Sequence, residues 1–379
     1  MKTVGYTKMK EIPITVEGKK TVKLDRADRQ RQNQANEEGL LKEVVDYGIR
    51  PEAVDFPMML VLSFVYPCNA ECPHCPYTNS NIRDDYKDVP YMPSNIFKKI
   101  ADEAGQYGAY LRISGGGEPM LHPEAVELLC YAKKVGCKIG LITNGSAFTE
   151  NSSRKLLEAG VDMIEFSVDA KEEDTYKIVR KGLDWQKLLR NARRMIEIRN
   201  STGSKSKIVA SGVNQQGVEI DDVEKFWREE IGVDNFIKRK FLTWGTNTTL
   251  NSDRSADPSP YLDTQDVPCP FIFERLNIDS RGNVMVCGYD ISANTSMGLV
   301  SEKSIKEIWH GEGFRFYREK HLANKGHEIG MCAGCPDWKY RSWTHNYWKV
   351  VKGASKQRLA TLSSLGVDDD FQSTSIEDQ

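Results

Sequence analysis

Strand and helix signals alternate in regular order between residues 58 and 242, and that rhythm leaves few folds open. MMLVLSFVY (58–66) is a continuous apolar run, as expected of a strand buried on both faces. The pattern then predicts a helix over 94–107 starting at Ser94, a strand over 110–114, a helix over 123–135 and a strand over 138–143. Next come a helix over 151–159, a strand over 163–168, helices near 172–178 and 185–199, a strand over 207–213, a helix over 221–230 and a strand near 233–242. About six β/α units of this kind imply a parallel sheet with helices outside, an α/β fold.

After Trp244 the rhythm breaks. Residues 244–267 are rich in Thr, Asn, Ser, Asp and Pro and read as a linker or lid. NIDSRGNVMVC (277–287) reads as a β-hairpin around Arg281, Gly282 and Asn283, followed by helix candidates at 304–309 and 313–322. Residues 1–57 read as an extension in which ITV and TVKL suggest short strands, followed by a charged stretch that turns helix-like. The expected organisation is therefore an extension over 1–57, a core over 58–243, a small domain over 244–350 and a polar, disordered tail over 351–379.

A net charge of −2 gives no basic field for nucleic acid or anionic lipid. No stretch has the apolar length of a signal peptide or a membrane span, so the expected compartment is the cytoplasm. There the nine cysteines are expected to stay reduced, and their number is odd, which argues against a disulfide framework. They fall into Cys68, Cys72 and Cys75, the isolated Cys130 and Cys137, and Cys269, Cys287, Cys332 and Cys335.

Cys68-x3-Cys72-x2-Cys75 directly follows the first buried strand, where loops at strand C-termini form the active face of a parallel barrel. Three thiolates would leave one iron of a cubane [4Fe–4S] cluster without a protein ligand. The rival is a zinc site with His74 as fourth ligand. The later four cysteines would suit either a second, fully liganded cluster or a zinc ribbon.

With Gly116, Gly117, Glu118 and Pro119 after the next strand, this motif resembles the radical S-adenosylmethionine (SAM) superfamily. Its signature is CxxxCxxC on the loop after the first strand of a partial (β/α)6 barrel. The resemblance covers roughly residues 58–242 and continues beyond. It implies that His74 lies against the adenine and that the Gly-Gly-Glu-Pro turn meets the methionyl amino group. Thr143-Asn144-Gly145 and Ser167-Val168-Asp169 look like the family's ribose motifs. Arg180 resembles an arginine that pairs with the methionyl carboxylate, and Asn214 would be the polar residue ending the next strand. The glycines are expected to let the backbone approach the ligand closely.

The second cysteine set, with Gly282 ahead of Cys287 and CAGC at 332–335, resembles the shortened SPASM fold called twitch, a hairpin plus helix around one auxiliary [4Fe–4S] cluster. The resemblance implies reductive cleavage of SAM to a 5′-deoxyadenosyl radical that abstracts a substrate hydrogen atom. Among relatives the spacing looks most like dehydrogenases of sugars and aminocyclitols; peptide modification, epimerisation and a catalytically inactive zinc-stabilised binding protein are the alternatives. The implied partners are a small molecule or sugar conjugate as substrate and flavodoxin or ferredoxin as reductant. An epimerase would need a hydrogen donor, often a cysteine, and Cys130, within a helix, and Cys137, at a strand's far end, are poorly placed for one; a tyrosine donor would escape this argument. Arg239, Lys240 and Trp244 near the last strand are candidates for substrate contact or for the edge of the core.

Overall fold

The computed structural model describes residues 53, 55–78, 81–241, 269, 271–291, 293–333 and 335, all within one compact unit, Glu43–Gln379. The sequence-expected extension, the linker over 244–267, Trp244 and the polar tail lie outside these residues, apart from the extension's last few.

Six parallel strands are built as expected: β1 (Met59–Leu62), β2 (Tyr110–Ile113), β3 (Lys138–Thr143), β4 (Met163–Ser167), β5 (Lys207–Asn214) and β6 (Asn235–Lys240). Helices come between them. A short α1 (Ile82–Asp85) and α2 (Ser94–Gln106) follow β1, α3 (Ala125–Lys134) follows β2, and α4 (Glu150–Glu158) follows β3. The helices α5 (Glu173–Val179) and α6 (Trp185–Thr202) follow β4, and α7 (Ile220–Lys225), which runs into a π-turn over Phe226–Ile231, follows β5.

The helices bury the stripes their periodicity foretold. Phe97, Ile100, Ala101 and Ala104 form the buried face of α2, and Leu188, Leu189, Ala192 and Met195 that of α6. Asp184 caps α6 by accepting the Lys187 N–H at 2.9 Å.

The apolar run 58–66 yields a strand only over Met59–Leu62. Beyond it the chain changes partners: Phe64 accepts the Met92 N–H at 3.0 Å, Tyr66 donates to Pro90 O at 2.9 Å, and Val65 bridges both Tyr91 and Gly116. The switch turns the chain out of the sheet just before the cysteine loop.

The hairpin does not stand apart from the barrel sheet. After α8 (Phe271–Glu274), β7 (Arg275–Ile278) pairs in parallel with β1, and β8 (Asn283–Met285) and β9 (Ser296–Leu299) follow antiparallel. The sheet order is β6-β5-β4-β3-β2-β1-β7-β8-β9. Sequence periodicity anticipated β7 and β8 but not β9. Next come α9 (Ile305–Trp309), with a capping box between Ser304 and Glu307, and α10 (Glu312–Leu322).

Strand register sorts the two faces of the sheet. Met59, Tyr110, Met163, Val209 and Ile237 share the inner face and cluster as an apolar floor with Ala53 and Met58. Two residues further along the same strands the lining turns polar, with Arg112, Glu165 and Arg239. Arg239 Nε donates to Glu165 Oε1 at 3.1 Å. Burial pushes the Glu165 carboxyl up, but Arg239 and then Arg112 outweigh it and hold it below the usual range. Arg239 is thus tied into the barrel lining by Glu165; the Lys240 side chain lies outside the description. No helix among the described residues is long and apolar enough to cross a membrane.

Candidate active site and second cysteine site

The cysteine loop is clamped by the turns after β2 and β3 and by the segment after α5. Gly117 N–H donates to Val65 O at 2.7 Å and Glu118 N–H to Pro67 O at 2.9 Å, so the turn after β2 lies directly on the start of the loop. A Cβ on Gly116 would sit 2.1 Å from Val65 O, and one on Gly117 1.9 Å from Pro67 O. The glycine requirement therefore has a cause the sequence did not suggest: the close approach is to the chain's own backbone. After β3, Asn144 Nδ2 donates to Asn69 Oδ1 at 2.9 Å, and Asn69 Nδ2 donates to Ser146 Oγ at 2.8 Å. After α5, Lys181 O accepts the Glu71 N–H at 2.8 Å, and Lys181 Nζ meets Glu71 Oε2 at 2.7 Å.

Glu118 is 2% exposed. Its carboxylate accepts the Thr143 hydroxyl at 2.6 Å, the Asn144 N–H at 2.7 Å and the Met120 N–H at 3.1 Å. Burial pushes it above the ordinary carboxylate value, against the pull of these donors. A carboxylate offers about four acceptor positions. One remains for a further donor such as an ammonium group.

Asp169, fully buried at the end of β4, takes φ +55°, a left-handed conformation uncommon outside glycine. Its Oδ1 accepts the Val213 N–H at 2.6 Å, while Oδ2 lies 2.6 Å from Arg180 Nε and 3.4 Å from His74 Nε2. Arg180 Nη1 reaches the Cys72 sulfur at 3.7 Å. His74 Nδ1 faces Gln215 Nε2 at 3.5 Å. His74 thus lies between Asp169 and Gln215. Ser167 and Asn214, at the ends of β4 and β5, are half-buried.

Sequence reasoning missed Asn69, Lys181 and Gln215. Asn69 stood inside the cysteine motif, which was a usable signal. Gln215, 1% exposed, follows Asn214 and has no local pattern to mark it.

Burial pushes the Cys68 thiol up and Cys72 up to about 11, in the latter case against the nearby guanidinium of Arg180. In the second set Cys269, Cys287 and Cys335 share one packed cluster with Phe271 and Tyr289. Burial is the largest cause raising Cys269, Cys287 and Cys332, and the charges of neighbouring cysteines in the set add to it. Such thiols gain most from a bound cation, which takes the proton's place. Cys287 Sγ accepts the Tyr289 N–H at 3.4 Å, and His321 Nε2 lies 3.4 Å from Cys332 Sγ. Burial pushes His321 down to about 4. Among the described residues no three His, Cys, Asp or Glu side chains converge closely enough to hold one bare metal ion. A cubane, which spreads its ligands over its corner irons, does not need that convergence.

The family models for "Radical SAM superfamily" and "Iron-sulfur cluster-binding domain" (SPASM) match residues 62–226 and 269–336, the two segments that carry these cysteine sites. The chain belongs to the radical SAM superfamily. A radical SAM protein with such a domain takes S-adenosylmethionine and [4Fe–4S] clusters as its cofactors. One relative is the tungsten-containing aldehyde ferredoxin oxidoreductase cofactor-modifying protein of Pyrococcus furiosus, 24% identical over 73% of this chain and 86% of that protein. Among solved structures, Streptococcus suis SuiB bound to S-adenosylmethionine matches with a TM-score of 0.60 at 16% identity, covering 83% of this chain and 78% of that one. Native anSMEcpe with bound AdoMet matches with a TM-score of 0.54 at 15% identity, covering 82% and 100%. At these identities the two structures speak for the radical SAM fold, a partial barrel continued by a small C-terminal hairpin-and-helix region.

Proposed function

We propose that this radical SAM enzyme oxidises a carbinol carbon of a sugar or aminocyclitol. In this reading Cys68, Cys72 and Cys75 hold the cluster with the open iron, and Cys269, Cys287, Cys332 and Cys335 hold a fully liganded auxiliary cluster. Loaded with their cofactors, the first site supplies the electron that splits S-adenosylmethionine into methionine and a hydrogen-abstracting 5′-deoxyadenosyl radical, and the second accepts the electron left on the substrate.

The chain's own residues bind and orient. Glu118 offers its remaining acceptor position to the methionyl ammonium. Arg180 offers its guanidinium to the methionyl carboxylate, held in place by Asp169. His74, fixed between Asp169 and Gln215, flanks the adenine. Gly116 and Gly117 carry the turn that presents Glu118, while Asn144, Ser167 and Asn214 line the strand ends on the ribose side, with Asp169 behind them. The substrate loses one hydrogen atom from carbon, one proton from its hydroxyl and one electron, and becomes a carbonyl compound. The proposed reductant for the first site is flavodoxin or ferredoxin.

One observation supports oxidation over epimerisation by a cysteine donor. Cys137 Sγ donates to Ala101 O at 3.2 Å, and Cys130 Sγ to Lys155 O at 3.8 Å. Both face helix carbonyls away from the strand C-termini, so neither can return a hydrogen atom to the opposite face of a substrate.

The test is anaerobic reconstitution followed by a screen of sugars and aminocyclitols. About eight irons per chain are expected, falling to about four when Cys68, Cys72 and Cys75 are replaced by Ala. One carbonyl product should form per 5′-deoxyadenosine. An epimerised or peptide product would overturn the carbinol reading, and zinc retained at the second site would remove its electron acceptor. The Pyrococcus relative supports a second reading, with the cofactor of a tungsten-containing aldehyde ferredoxin oxidoreductase as substrate; its modification in the same assay, with no sugar consumed, would favour that reading.

A further inference from the structure

His321, on the buried face of α10, is 3% exposed and has no part in the chemistry assigned above. Its two ring nitrogens both face the second cysteine set. Nδ1 lies 3.3 Å from the Cys269 backbone nitrogen, and that amide can only donate, so Nδ1 must be the acceptor. The proton of the neutral ring therefore sits on Nε2. Nε2 lies 3.4 Å from Cys332 Sγ, so this bond runs from the ring N–H to sulfur. The backbone partner fixes the tautomer, and the tautomer fixes the direction of the second bond.

We propose that His321 is a positioning residue for the auxiliary site, donating its Nε2–H to the Cys332 thiolate and so raising the reduction potential of the cluster held there. The inference rests on the assignment of Cys269, Cys287, Cys332 and Cys335 as that cluster's ligands. A donor aimed at a ligand sulfur stabilises the state carrying the extra electron more than the oxidised state, because the sulfur is then the stronger acceptor. The site becomes easier to reduce, as a receiver of the substrate's last electron needs. Cys287 has a comparable donor in the Tyr289 N–H, but that is a backbone amide, which only proline would remove and only by also fixing φ there. The His321 donor can be removed and replaced.

The experiment uses the full chain with Cys68, Cys72 and Cys75 replaced by Ala, so that iron reports the second site alone. Reconstituted protein is titrated with mediators of known potential and followed by electron paramagnetic resonance, with His321, His321→Met and His321→Gln compared. All three are expected to hold about four irons. At the midpoint of the His321 protein, the reduced-to-oxidised ratio of His321→Met should be about tenfold lower, a midpoint about 59 mV more negative for a one-electron couple. His321→Gln, whose amide N–H can replace the donor, should recover most of that shift. A Met variant with an unchanged midpoint would overturn the inference, as would a Gln variant no better than Met. Loss of iron from both variants would also overturn it, since His321 would then only hold the site together. A parent protein binding zinc or nothing at the second site is a separate failure, that of the cluster assignment itself.

Discussion

Asp169 and Arg180 form the buried ion pair of the first cysteine site, with Oδ2 and Nε 2.6 Å apart and side chains 0% and 13% exposed. The same carboxylate faces His74 at 3.4 Å, and the same guanidinium reaches the Cys72 sulfur at 3.7 Å. One side chain therefore positions two groups that the proposed function assigns to SAM. Asp169→Asn keeps a residue type that tolerates positive φ, and its carbonyl can still accept the Val213 N–H. It leaves the buried guanidinium without its counter-charge, a loss of about 3–5 kcal/mol. A clear fall in Tm with the fold retained is expected, together with at least a tenfold loss of 5′-deoxyadenosine formation. Thermal melts by circular dichroism and a cleavage assay check the two effects; unchanged cleavage would remove Asp169 from the site.

The glycine turn after β2 gives a contrast within one protein. Gly117→Ala would place a methyl 1.9 Å from Pro67 O, against backbone that cannot move without releasing the cysteine loop. Gly160 instead has positive φ, +75°, and nothing lies within 4 Å of a Cβ there. Gly160→Ala should cost only about 1–2 kcal/mol of left-handed strain and leave iron content unchanged. Gly117→Ala should lose the iron of the first site while retaining that of the second. Full iron content in Gly117→Ala would mean that the clamp between turn and loop is dispensable.

The fold was largely legible because most of its information is local. Apolar runs marked β1 to β6, and the 3.6-residue stripes of α2 and α6 marked the intervening helices. The pairing of β7 with β1 was not legible, because Met59 and Arg275 are far apart in sequence and no periodicity encodes which edge a hairpin joins. The site divides in the same way. Residues inside motifs, from Cys68 to Arg180, could be named. Gln215 and His321 could not, since each acquires its role only from partners such as His74 and Cys332 that the fold brings to it. The glycines stood out in the sequence, but their contact with Val65 O and Pro67 O did not, because sequence marks a need for close approach without saying to what.

Glu118 should give the protein a pH signature. Burial raises its folded pKa, so the folded chain holds the proton more tightly than the unfolded chain does. Below the ordinary glutamate value of about 4.3 both states are protonated and the group contributes no slope. Above it the unfolded chain ionises first, and stability is lost as pH rises towards the folded pKa. Without S-adenosylmethionine, Tm should therefore fall more steeply above that point in the natural protein than in Glu118→Gln. The slope is the readout, because Gln also misplaces a donor against the Asn144 N–H and lowers Tm at every pH. Parallel slopes would mean that Glu118 ionises normally despite its burial.

The two remaining cysteines bear on epimerisation by a thiol hydrogen donor. Cys137 is 1% exposed, with its thiol pushed up to about 12 mainly by burial, and it precedes β3 at the end of the barrel opposite the cysteine loop. Cys130 sits on α3 and faces Lys155 of α4. A thiol that returns a hydrogen atom must lie at the mouth of the barrel, beside the substrate. Cys130→Ser and Cys137→Ala should therefore leave both 5′-deoxyadenosine and product yields within about twofold of the natural protein, with Cys137→Ala costing about 1 kcal/mol of stability for its buried sulfur. The informative failure would be a variant that still cleaves S-adenosylmethionine but no longer forms product. That pattern would make the altered thiol a hydrogen donor. The reaction would then be a net inversion, and no electron would be left for the second site to accept.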